Sequence, residues 1–525
     1  MGRHAWGWGL EERAIPLDEV RPRVEPFFGS RDELKGAPPR VPAPRVEVPL
    51  AVRAFASAAD DVRAAHAMGK AYPDRIRGFR GDFSTAPDVV VMPRSELELV
   101  QALECATVEQ LSVTPFGGGS SVVGGVEPVI GKGHRGTMTL DLSALGQMRE
   151  VDAVSRLARI EGGAFGPALE QQLGTHGLTL RHFPQSFEFS TLGGWIATRA
   201  GGHFATGPTH IDDLVHSVRM VTPTGLFETK SFPASGAGVD PNRLVLGSEG
   251  IFGVITEAWM RVRPKPTFRA SASVHFDEYR AAVDAVRALS QSGLQPANCR
   301  LLDPAEAMVN GVTFDGSAVL VLGFESSTHS MREWIDQALR VTAQFQGRCE
   351  QGAQVLDGGG ERADDAGQSW RRSFLQGPYL QDALIRLGLV ADTFETACTW
   401  SRFHELYAGV TGAVMEGLQR LCGGGVVSCR LTHVYPDGPA PYFTFIGPAR
   451  EGEELSQWTE LKRLASDAVA AHGGTITHHH AVGRTHRPWY EREVPAAFRA
   501  SMAAVKRQLD PSGLLNPGVL LDQQL

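Results

Sequence analysis

The sequence has few cysteines and no long apolar run. Its six cysteines are scattered along the chain, at Cys105, Cys299, Cys349, Cys398, Cys422 and Cys429. None forms a C-x-x-C pair, so neither a zinc ribbon nor a disulfide framework is indicated. No segment approaches the ~20 consecutive apolar residues of a membrane-spanning helix. Residues 1–26 are charged and lack the apolar segment of a secretory signal, so we expect a cytoplasmic protein.

The sequence also lacks a basic surplus. Lys and Arg number 51 against 59 Asp and Glu, which gives a net charge of −8. That balance argues against a general nucleic-acid-binding protein. We find no internal repeat and no low-complexity tract. With 525 residues, 42% hydrophobic and 21% charged, the chain is expected to be a globular protein of two substantial domains.

A glycine-rich loop follows a predicted strand near residue 113. Residues 117–125 contain five glycines and two serines. Their backbone N–H groups can converge on phosphate oxygens, and Ser120 and Ser121 add hydroxyl donors. The loop is not a P-loop, because no Gly-Lys-Ser/Thr follows, and it is not the G-x-G-x-x-G of a Rossmann fold. It predicts a pyrophosphate-binding loop, with an ordinary flexible turn as the alternative.

A second stretch, residues 184–213, alternates small and hydroxylated residues with glycine pairs at 193–194 and 201–202. This composition is expected where a backbone lies flat against a large planar ligand. A third stretch, residues 247–256, reads Gly-Ser-Glu-Gly-Ile-Phe-Gly-Val-Ile-Thr.

The first half of the chain is predicted to contain short strands and helices. A strand at residues 88–93, a helix opened by the capping box Ser95–Glu98, and the strand before the glycine loop form a βαβ unit. Further strands are clearest at residues 138–142, 158–161, 218–221 and 254–262. Near the N-terminus, residues 35–49 are a proline-rich extended connector and residues 54–67 an amphipathic stretch.

The block Arg263–Pro266 interrupts this pattern and is the predicted domain boundary. Beyond it we predict an amphipathic helix near Glu278–Leu289 and a buried strand at Ala318–Phe324. Asp357–Asp365 is polar and glycine-rich, which predicts a mobile surface loop.

Three adjacent histidines, His478–His480, follow the strand-like residues 474–477. In a strand, His478 and His480 would point to one face and His479 to the other, so two rings could meet a ligand. The alternatives are a metal-sequestering surface cluster, or one buried ring with two solvated ones.

Three other side chains of the second half are candidates. Tyr442 lies in an alternating strand at residues 441–445 and by itself would be a packed core tyrosine. Arg300 and Arg430 each lie between apolar neighbours. An arginine in such a run is either a surface charge on a strand or an anion anchor in a pocket.

The three glycine-containing stretches resemble the flavin-binding domain of the vanillyl-alcohol-oxidase family. There the first loop holds the FAD pyrophosphate, the second lines the flavin, and the third lies against adenosine and flavin. Other segments are similar to the alkyldihydroxyacetonephosphate synthase family within that group: Asp392–Thr396, Ser428–Thr432 followed by Tyr442, Gly473–Gly483 and Val505–Pro517. The triple histidine stands where D-lactate and glycolate relatives typically carry Glu-His-Gly.

The resemblance implies an α+β fold. It combines a vanillyl-alcohol-oxidase-type FAD-binding domain of two αβ subdomains with an α/β cap domain that contains an antiparallel sheet. We predict an N-terminal helical leader over residues 1–80, the FAD-binding (PCMH-type) domain over 81–265, and the cap or substrate domain over 266–490. A C-terminal helical segment, residues 491–525, would return to the FAD domain.

The resemblance also implies the FAD contacts. In the first stretch they are Pro115, Phe116, Gly117, Gly118, Gly119, Ser120 and Ser121. In the second they are Gln185, Ser186, Phe187, Glu188, Phe189, Ser190, Thr191, Thr198, Arg199, Ala200 and Gly201. In the third they are Glu249, Gly250, Ile251, Phe252, Gly253, Val254 and Ile255. We expect FAD to bind non-covalently, because the first loop has no histidine to which relatives tether flavin.

The implied reaction exchanges the acyl group of acyl-dihydroxyacetone phosphate for a fatty alcohol. It gives an ether and a free fatty acid, and FAD does not act as an electron carrier. Tyr442 would be the acid/base, if its neighbours lower the phenol pKa from ~10. The other catalytic residues carried over are His478, His479, His480 and Arg300.

Two positions depart from the family pattern. Gln381, in the segment Pro378–Asp382, stands where the family has the arginine taken to hold the substrate phosphate. Gln offers two neutral donors in place of a charged fork, so Arg430 or Arg386 would have to assist it. Ala481 follows the triple histidine, where glycine is usual.

Two other classes of function remain open. One is a redox flavoenzyme of the same fold that oxidises a 2-hydroxy acid or an alcohol, and the other is a non-catalytic flavin-binding protein. For the synthase interpretation we expect lipid-like substrates, a homodimer, no nucleic acid and no metal. Peripheral contact with a membrane is compatible with this interpretation.

Overall fold

The computed structural model describes His4, residues 6–358 and residues 365–522, with only the backbone of residues 365–375. Residues 359–364 of the surface loop predicted at Asp357–Asp365 lie outside the described residues. The strands are β1 (Ala56–Ser57), β2 (Val89–Val91), β3 (Leu111–Phe116), β4 (Gly136–Asp141), β5 (Met148–Asp152), β6 (Leu157–Glu161), β7 (Leu178–Thr179), β8 (Val215–Thr222), β9 (Gly225–Glu228), β10 (Val254–Arg261), β11 (Arg263–Pro264), β12 (Phe268–Phe276), β13 (Asn298–Leu302), β14 (Ala318–Ser326), β15 (Gln354–Leu356), β16 (Leu389–Glu395), β17 (Val426–Val434) and β18 (Pro439–Pro448).

The α-helices surround these strands. They are α1 (Leu17–Phe28), α2 (Asp60–Ala65), α3 (Tyr72–Phe79), α4 (Glu96–Val108), α5 (Gly166–Gly174), α6 (Leu192–Thr198), α7 (Asn242–Val245), α8 (Tyr279–Gln291), α9 (Pro304–Val309), α10 (Arg332–Ala343), α11 (Asp365–Arg386), α12 (Trp400–Cys422), α13 (Glu454–Ala471), α14 (Arg487–Glu493) and α15 (Ala496–Leu509).

The first sheet has the strand order β1-β2-β4-β3, and β4 pairs in parallel with both β2 and β3. The predicted βαβ unit is therefore present, but β4 lies between its two strands. The capping prediction for α4 is confirmed, because the Ser95 hydroxyl accepts the backbone N–H of Glu98 at 3.2 Å. Strand β3 leads directly into the glycine loop.

The second sheet is antiparallel, in the order β5-β6-β10-β8-β9. It contains the predicted strands near residues 158–161, 218–221 and 254–262. Helix α6, which begins after Thr191, packs Trp195 and Ile196 into the core of this sheet.

The third sheet has seven antiparallel strands, in the order β15-β12-β14-β13-β17-β18-β16. The predicted helix near Glu278–Leu289 and the predicted strand at Ala318–Phe324 are confirmed as α8 and β14. Helices α12 and α13 pack against β16–β18 around Phe394, Phe443 and Phe445. The α+β class with an antiparallel cap sheet agrees with the sequence-based expectation.

The amphipathic stretch predicted at residues 54–67 is not one helix. A 3-10 helix at Leu50–Phe55 is followed by β1 and then by the short α2. Strand β1 pairs with the edge of the first sheet, and this pairing interrupts the helical pattern. None of the described helices is long and apolar enough to cross a membrane.

Candidate active site

The first two glycine-containing stretches pack directly against each other. A Cβ atom added to Gly118 would lie 1.7 Å from the carbonyl oxygen of Phe189, and one added to Gly117 would lie 2.2 Å from the Thr191 hydroxyl. Gly119 has a φ of +69°, which L side chains rarely adopt. Glycine is therefore required here by backbone-to-backbone packing, whatever the loop binds.

The third stretch and the C-terminal segment close around the same loop. The Asn516 amide donates to the carbonyls of Gly125 at 2.9 Å and Glu249 at 2.8 Å. The buried Glu249 carboxylate accepts the N–H groups of Val482 and Gly483 at 2.9 and 2.8 Å. Burial raises the pKa of Glu249 to about 7 despite these two donors.

The remaining residues of the second stretch lie around α6. Residues 187–189 form a 3-10 helix, and the Phe187 ring stacks on Trp195 at 6.1 Å. Arg199 ends α6 in a left-handed conformation and donates to Asp212 at 2.8 Å. An added Cβ at Gly201 would lie 3.0 Å from the Cβ of His479. The second stretch therefore reaches the triple histidine.

The triple histidine does not lie in a strand, so the predicted alternation of faces is wrong. Residues 475–482 form a loop of bends between α13 and α14. The loop folds around the carboxylate of Glu395, at the end of β16. The N–H groups of His478, His479 and His480 donate to its two oxygens at 2.6, 3.1 and 2.8 Å. The backbone of all three histidines is therefore hydrogen-bonded to the Glu395 carboxylate.

Tyr442 lies beside this loop and is 4% exposed. Its hydroxyl donates to the Thr393 hydroxyl at 2.9 Å. The Arg430 guanidinium lies 4.0 Å from the centre of the phenol ring. The His479 ring stacks on the phenol at 5.9 Å, and the His480 ring meets it edge-on at 5.4 Å. The structure thus brings Tyr442, Arg430 and two of the three histidines together.

Burial raises the pKa of Tyr442, and the nearby Arg430 charge opposes that shift. The condition that the neighbours of Tyr442 lower its phenol pKa is therefore not met in this arrangement, because desolvation of the phenolate outweighs the cation. Burial also lowers the pKa values of His479 and His480 to about 4. At neutral pH the site has a neutral phenol and neutral imidazoles beside the guanidinium of Arg430.

Arg300 and Arg430 are buried, so the surface-charge alternative is wrong for both. Arg430 pairs with Glu306 at 2.5 Å, and the Ser428 hydroxyl donates to the same carboxylate. Arg300 donates to the carbonyl of His203 at 3.4 Å. Burial, followed by the neighbouring Arg430, lowers the pKa of Arg300 to about 9.

Sequence reasoning missed several members of the site, among them Tyr435, His210 and His433. The Nε2 atom of His478 lies 2.8 Å from the Tyr435 hydroxyl and 3.0 Å from Nε2 of His210, while its Nδ1 lies 3.1 Å from Nδ1 of His479. His433 lies against the same rings, and its Nε2 is 2.9 Å from the carbonyl of Gly202. Burial lowers the pKa values of His433 and His478 well below the usual range. The cluster is internal, so the surface-cluster alternative is wrong.

The histidine cluster is a loose arrangement for a metal. Ring nitrogens of His433, His478 and His479 lie within 4.8 Å of one another. A tetrahedral Zn²⁺ with its usual bonds needs about 3.4 Å between nitrogens. The rings could hold such a metal only if they moved to that spacing.

Comparisons with known proteins agree with this architecture. Two family models match, the FAD binding domain over residues 87–230 and the C-terminal domain of FAD linked oxidases over residues 265–520. The alkyldihydroxyacetonephosphate synthase of Dictyostelium discoideum is 30% identical over 485 residues, which cover 87% of this chain and 77% of that protein. The chain belongs to the alkyldihydroxyacetonephosphate synthase family.

Two further relatives of this family have similar coverage. The alkyldihydroxyacetonephosphate synthase of Trypanosoma brucei brucei is 29% identical over 485 residues, again 87% of this chain and 77% of that protein. A solved structure of an alkyldihydroxyacetonephosphate synthase has a TM-score of 0.81 at 25% identity, covering 98% of this chain and 97% of that one. The protein is an FAD-dependent enzyme of this family.

The residues around the glycine loop fit FAD. The Cβ position at Gly124 is open, with its nearest neighbour 3.8 Å away, and that at Gly194 has one neighbour, at 3.4 Å. The buried Ser248 hydroxyl and the buried Asn516 Oδ1 have no hydrogen-bond partner among the described residues. Glycine backbone with free space beside it, together with polar side-chain atoms available for hydrogen bonds, suits a pyrophosphate and a flavin ring.

The two departures from the synthase family pattern have visible consequences. Ala481 has a φ of +72°, a left-handed conformation that favours the family's glycine. The Gln381 amide donates to the carbonyl of Ala391 at 2.7 Å. Arg386, one candidate to replace the family's arginine, pairs with Glu33 at 2.6 Å.

Glu395 was the most informative residue that the sequence analysis left unassigned. It lies in the segment Asp392–Thr396, which carried part of the resemblance. A carboxylate inside an apolar strand needs a partner when it is buried, and that requirement could have identified it.

Proposed function

We propose that this protein is an alkyldihydroxyacetonephosphate synthase. The observation that carries the proposal is Tyr442, buried against Arg430 and the histidine loop on the same side as the glycine-containing stretches. A tyrosine, a guanidinium and several neutral imidazoles form a site for moving a proton.

The proposed reaction breaks one carbon–oxygen bond and forms another. The bond between the dihydroxyacetone phosphate carbon and the acyl carboxylate oxygen breaks, and the carbon bonds to the oxygen of a fatty alcohol. The alcohol proton is released, and the products are an alkyl ether and a fatty acid. No electrons are gained or lost overall. FAD, when bound, would supply the flavin N5 as the group that holds the substrate carbon.

The protein's own residues would handle the proton and the charge. Tyr442 would exchange a proton with the substrate, and its hydroxyl would have to release Thr393, to which it donates at 2.9 Å. Arg430 would stabilise the phenolate when the proton has left, since it lies over the ring. His479 and His480 would act as neutral hydrogen-bonding groups, because their pKa values are near 4.

Arg430 and Gln381 are the proposed substrate-binding residues. Arg430 is paired with Glu306. To bind a phosphate, the Arg430 guanidinium would have to contact Glu306 and the phosphate together, or leave Glu306 for the phosphate. Gln381 could offer its amide only by releasing the carbonyl of Ala391. Arg300 would act through charge, since its guanidinium is buried beside Arg430.

An FAD-linked oxidase or dehydrogenase is the second candidate function. Two observations favour it: the family model over residues 265–520 describes FAD linked oxidases, and Gln381 replaces the family's phosphate-binding arginine. Such an enzyme would take two electrons from a 2-hydroxy acid or an alcohol, and its flavin would be reduced.

The test combines one assay with one spectrum. Purified holoenzyme is incubated with acyl-dihydroxyacetone phosphate and hexadecanol, and products are identified by mass. The same protein is mixed anaerobically with D-lactate or glycolate while flavin absorbance is followed. A synthase forms the alkyl ether and retains its flavin band. No ether, together with flavin bleaching by a hydroxy acid, would favour the oxidase.

We further propose that the protein is a cytoplasmic homodimer that contacts membranes peripherally, because its proposed substrates are lipids. Light scattering on the purified protein and sedimentation with phospholipid vesicles would test these two points. A monomer in the first measurement, or no sedimentation in the second, would contradict them.

A further inference from the structure

The backbone of the histidine loop has one common partner, the Glu395 carboxylate. Its Oε2 accepts the N–H of His478 at 2.6 Å, and its Oε1 accepts those of His479 at 3.1 Å and His480 at 2.8 Å. The Thr477 hydroxyl also donates to Oε1, at 2.6 Å. Four consecutive residues are therefore hydrogen-bonded to one side chain.

The carboxylate is sealed from solvent and ionised. Its side chain is 1% exposed. Burial alone would raise the pKa of Glu395, but the charge that His479, His480 and His478 carry when protonated, together with the Thr477 hydroxyl, lowers it. At neutral pH, where these rings are neutral, the hydroxyl and N–H donors of the loop stabilise the carboxylate. The Nδ1 atoms of His479 and His480 lie 3.6 and 3.8 Å from the carboxylate oxygens. These distances are too long for hydrogen bonds, so the anchor acts on the backbone.

The same strand also holds the phenol. Glu395 is paired with Tyr442 in the β16–β18 register. Thr393, two residues earlier on β16, accepts the hydrogen bond from the Tyr442 hydroxyl. Residues i and i+2 of a strand lie on one face, so β16 fixes the phenol through Thr393 and the histidine loop through Glu395.

We propose that Glu395 is a positioning residue that sets the histidine loop in register with Tyr442. This role rests on the proposed function for its effect on turnover. The loop has no regular secondary structure to hold it, so the carboxylate replaces the missing ladder of hydrogen bonds. Without the carboxylate, the N–H groups of His478 and His479 would lose their acceptor, and that of His480 would keep only the Thr477 hydroxyl at 3.1 Å. The loop would have to move to satisfy them.

The test compares two Glu395 variants with a matched control. In Glu395→Gln an NH₂ group replaces one carboxylate oxygen and cannot accept a hydrogen bond. Only one oxygen then remains to accept the N–H groups of the loop. Glu395→Asp keeps the charge but is one methylene shorter. The control is Glu493→Gln, because the Glu493 carboxylate accepts the N–H of Ile476 at 2.9 Å, in the same loop but before the histidines.

We expect kcat of the Glu395→Gln holoenzyme to fall about 10²-fold, the size of a misplaced catalytic group. KM and FAD content should change little, Glu395→Asp should recover part of kcat, and Glu493→Gln should remain near wild type. Equal loss of kcat in Glu395→Gln and Glu493→Gln would mean that any loss of loop hydrogen bonding is enough, and would overturn a specific role for Glu395.

A second measurement does not depend on the reaction. Histidines of each holoprotein are labelled with diethylpyrocarbonate, and the rate at His478–His480 is read by peptide mass. Glu395→Gln should label faster than wild type and the control, with Glu395→Asp in between. If wild type makes no ether, the proposed function fails while this labelling still decides the role of Glu395. Unchanged labelling in both Glu395 variants would overturn it.

Discussion

Burial keeps the Tyr442 hydroxyl protonated at neutral pH. Burial raises its pKa, and the hydroxyl donates to Thr393 rather than facing a base. The Arg430 guanidinium lies 4.0 Å from the centre of the Tyr442 ring, and its charge opposes the effect of burial. A phenol with a raised pKa is a weaker acid than a solvated one, and the Arg430 charge stabilises the phenolate that forms when the proton leaves.

Removing the Tyr442 hydroxyl tests this role. In Tyr442→Phe we expect kcat to fall by about 10² to 10⁴, the usual size of a lost general acid/base. The unfolding free energy should fall by only about 1 kcal/mol, for one buried hydrogen bond. FAD content, the melting temperature and kcat are measured together. Tyr72→Phe is the control, since Tyr72 is a buried tyrosine whose hydroxyl donates to Leu389. Full activity of Tyr442→Phe would disprove the assignment.

Ala481 carries a backbone strain that its glycine variant should relieve. A φ of +72° costs a non-glycine residue about 1–2 kcal/mol. Replacing Ala481 by glycine removes that cost, but the greater backbone freedom of glycine in the unfolded chain offsets about 0.5–1 kcal/mol of the stabilisation. We expect Ala481→Gly to raise the midpoint of chemical unfolding. The helical and exposed Ala470 provides the control: Ala470→Gly should lower the midpoint. A lower midpoint for Ala481→Gly would refute the strain.

At the scale of elements, the glycine loop and the 3-10 helix at Phe187–Phe189 form one unit. The carbonyl of Phe189 occupies the place where a Gly118 side chain would be. The Phe189 ring in turn meets Trp8 edge-on at 5.7 Å. The Phe189 ring thereby links the N-terminal segment to the predicted pyrophosphate-binding loop.

The close packing at Gly118 predicts that side chains added to the glycine loop reduce FAD binding. Asp at Gly118 or Gly119 is expected to abolish FAD binding, because it would add a negative charge near the pyrophosphate. The structure extends the expectation to Gly118→Ala, since its Cβ would already lie 1.7 Å from the Phe189 carbonyl. Gly236→Ala is the control, with nothing within 4 Å of its Cβ.

FAD is measured in the supernatant after acid precipitation, relative to protein. We expect stoichiometric release from wild type and Gly236→Ala, and almost none from Gly118→Ala. Flavin that stays in the wild-type pellet would contradict non-covalent binding. Full FAD content in Gly118→Ala would contradict the loop assignment.

The sequence predicted elements well where the pattern was local. Strand β14, helix α8 and the cap of α4 follow from periodicity and a capping residue. The histidine loop was predicted wrongly, because its conformation depends on Glu395, which lies 83 residues before His478. The tyrosine and the triple histidine were found through family resemblance, whereas His433 and His210 meet them only in the folded structure.

At the scale of the whole molecule, buried histidines should make the protein sensitive to acid. Burial lowers the pKa below the usual 6.5 for His4, His182, His210, His216, His404, His433, His478, His479, His480 and His486. Three buried carboxyl groups have the opposite effect on stability in acid, because they bind protons more tightly in the folded protein than in the unfolded chain. Burial raises the pKa of Asp74 to about 6 and those of Glu249 and Asp303 to about 7. The histidines outnumber the carboxyl groups.

The unfolded chain therefore binds more protons than the folded one as the pH falls below 6.5. The histidine contribution to stability is complete above that pH and is lost progressively toward pH 4. Thermal unfolding of the holoenzyme should have a lower midpoint at about pH 5 than at about pH 7. An equal or higher midpoint at the lower pH would show that the histidines are not buried as neutral rings.

The central claim is that the protein exchanges an acyl carboxylate for an alcohol without net redox chemistry. The most direct measurement uses hexadecanol labelled with oxygen-18 and unlabelled acyl-dihydroxyacetone phosphate, with flavin absorbance recorded during turnover. We predict that the label enters the ether product and is absent from the released fatty acid, while the flavin band is retained. An ether without the label, or no ether and a flavin bleached by a hydroxy acid, would contradict the account.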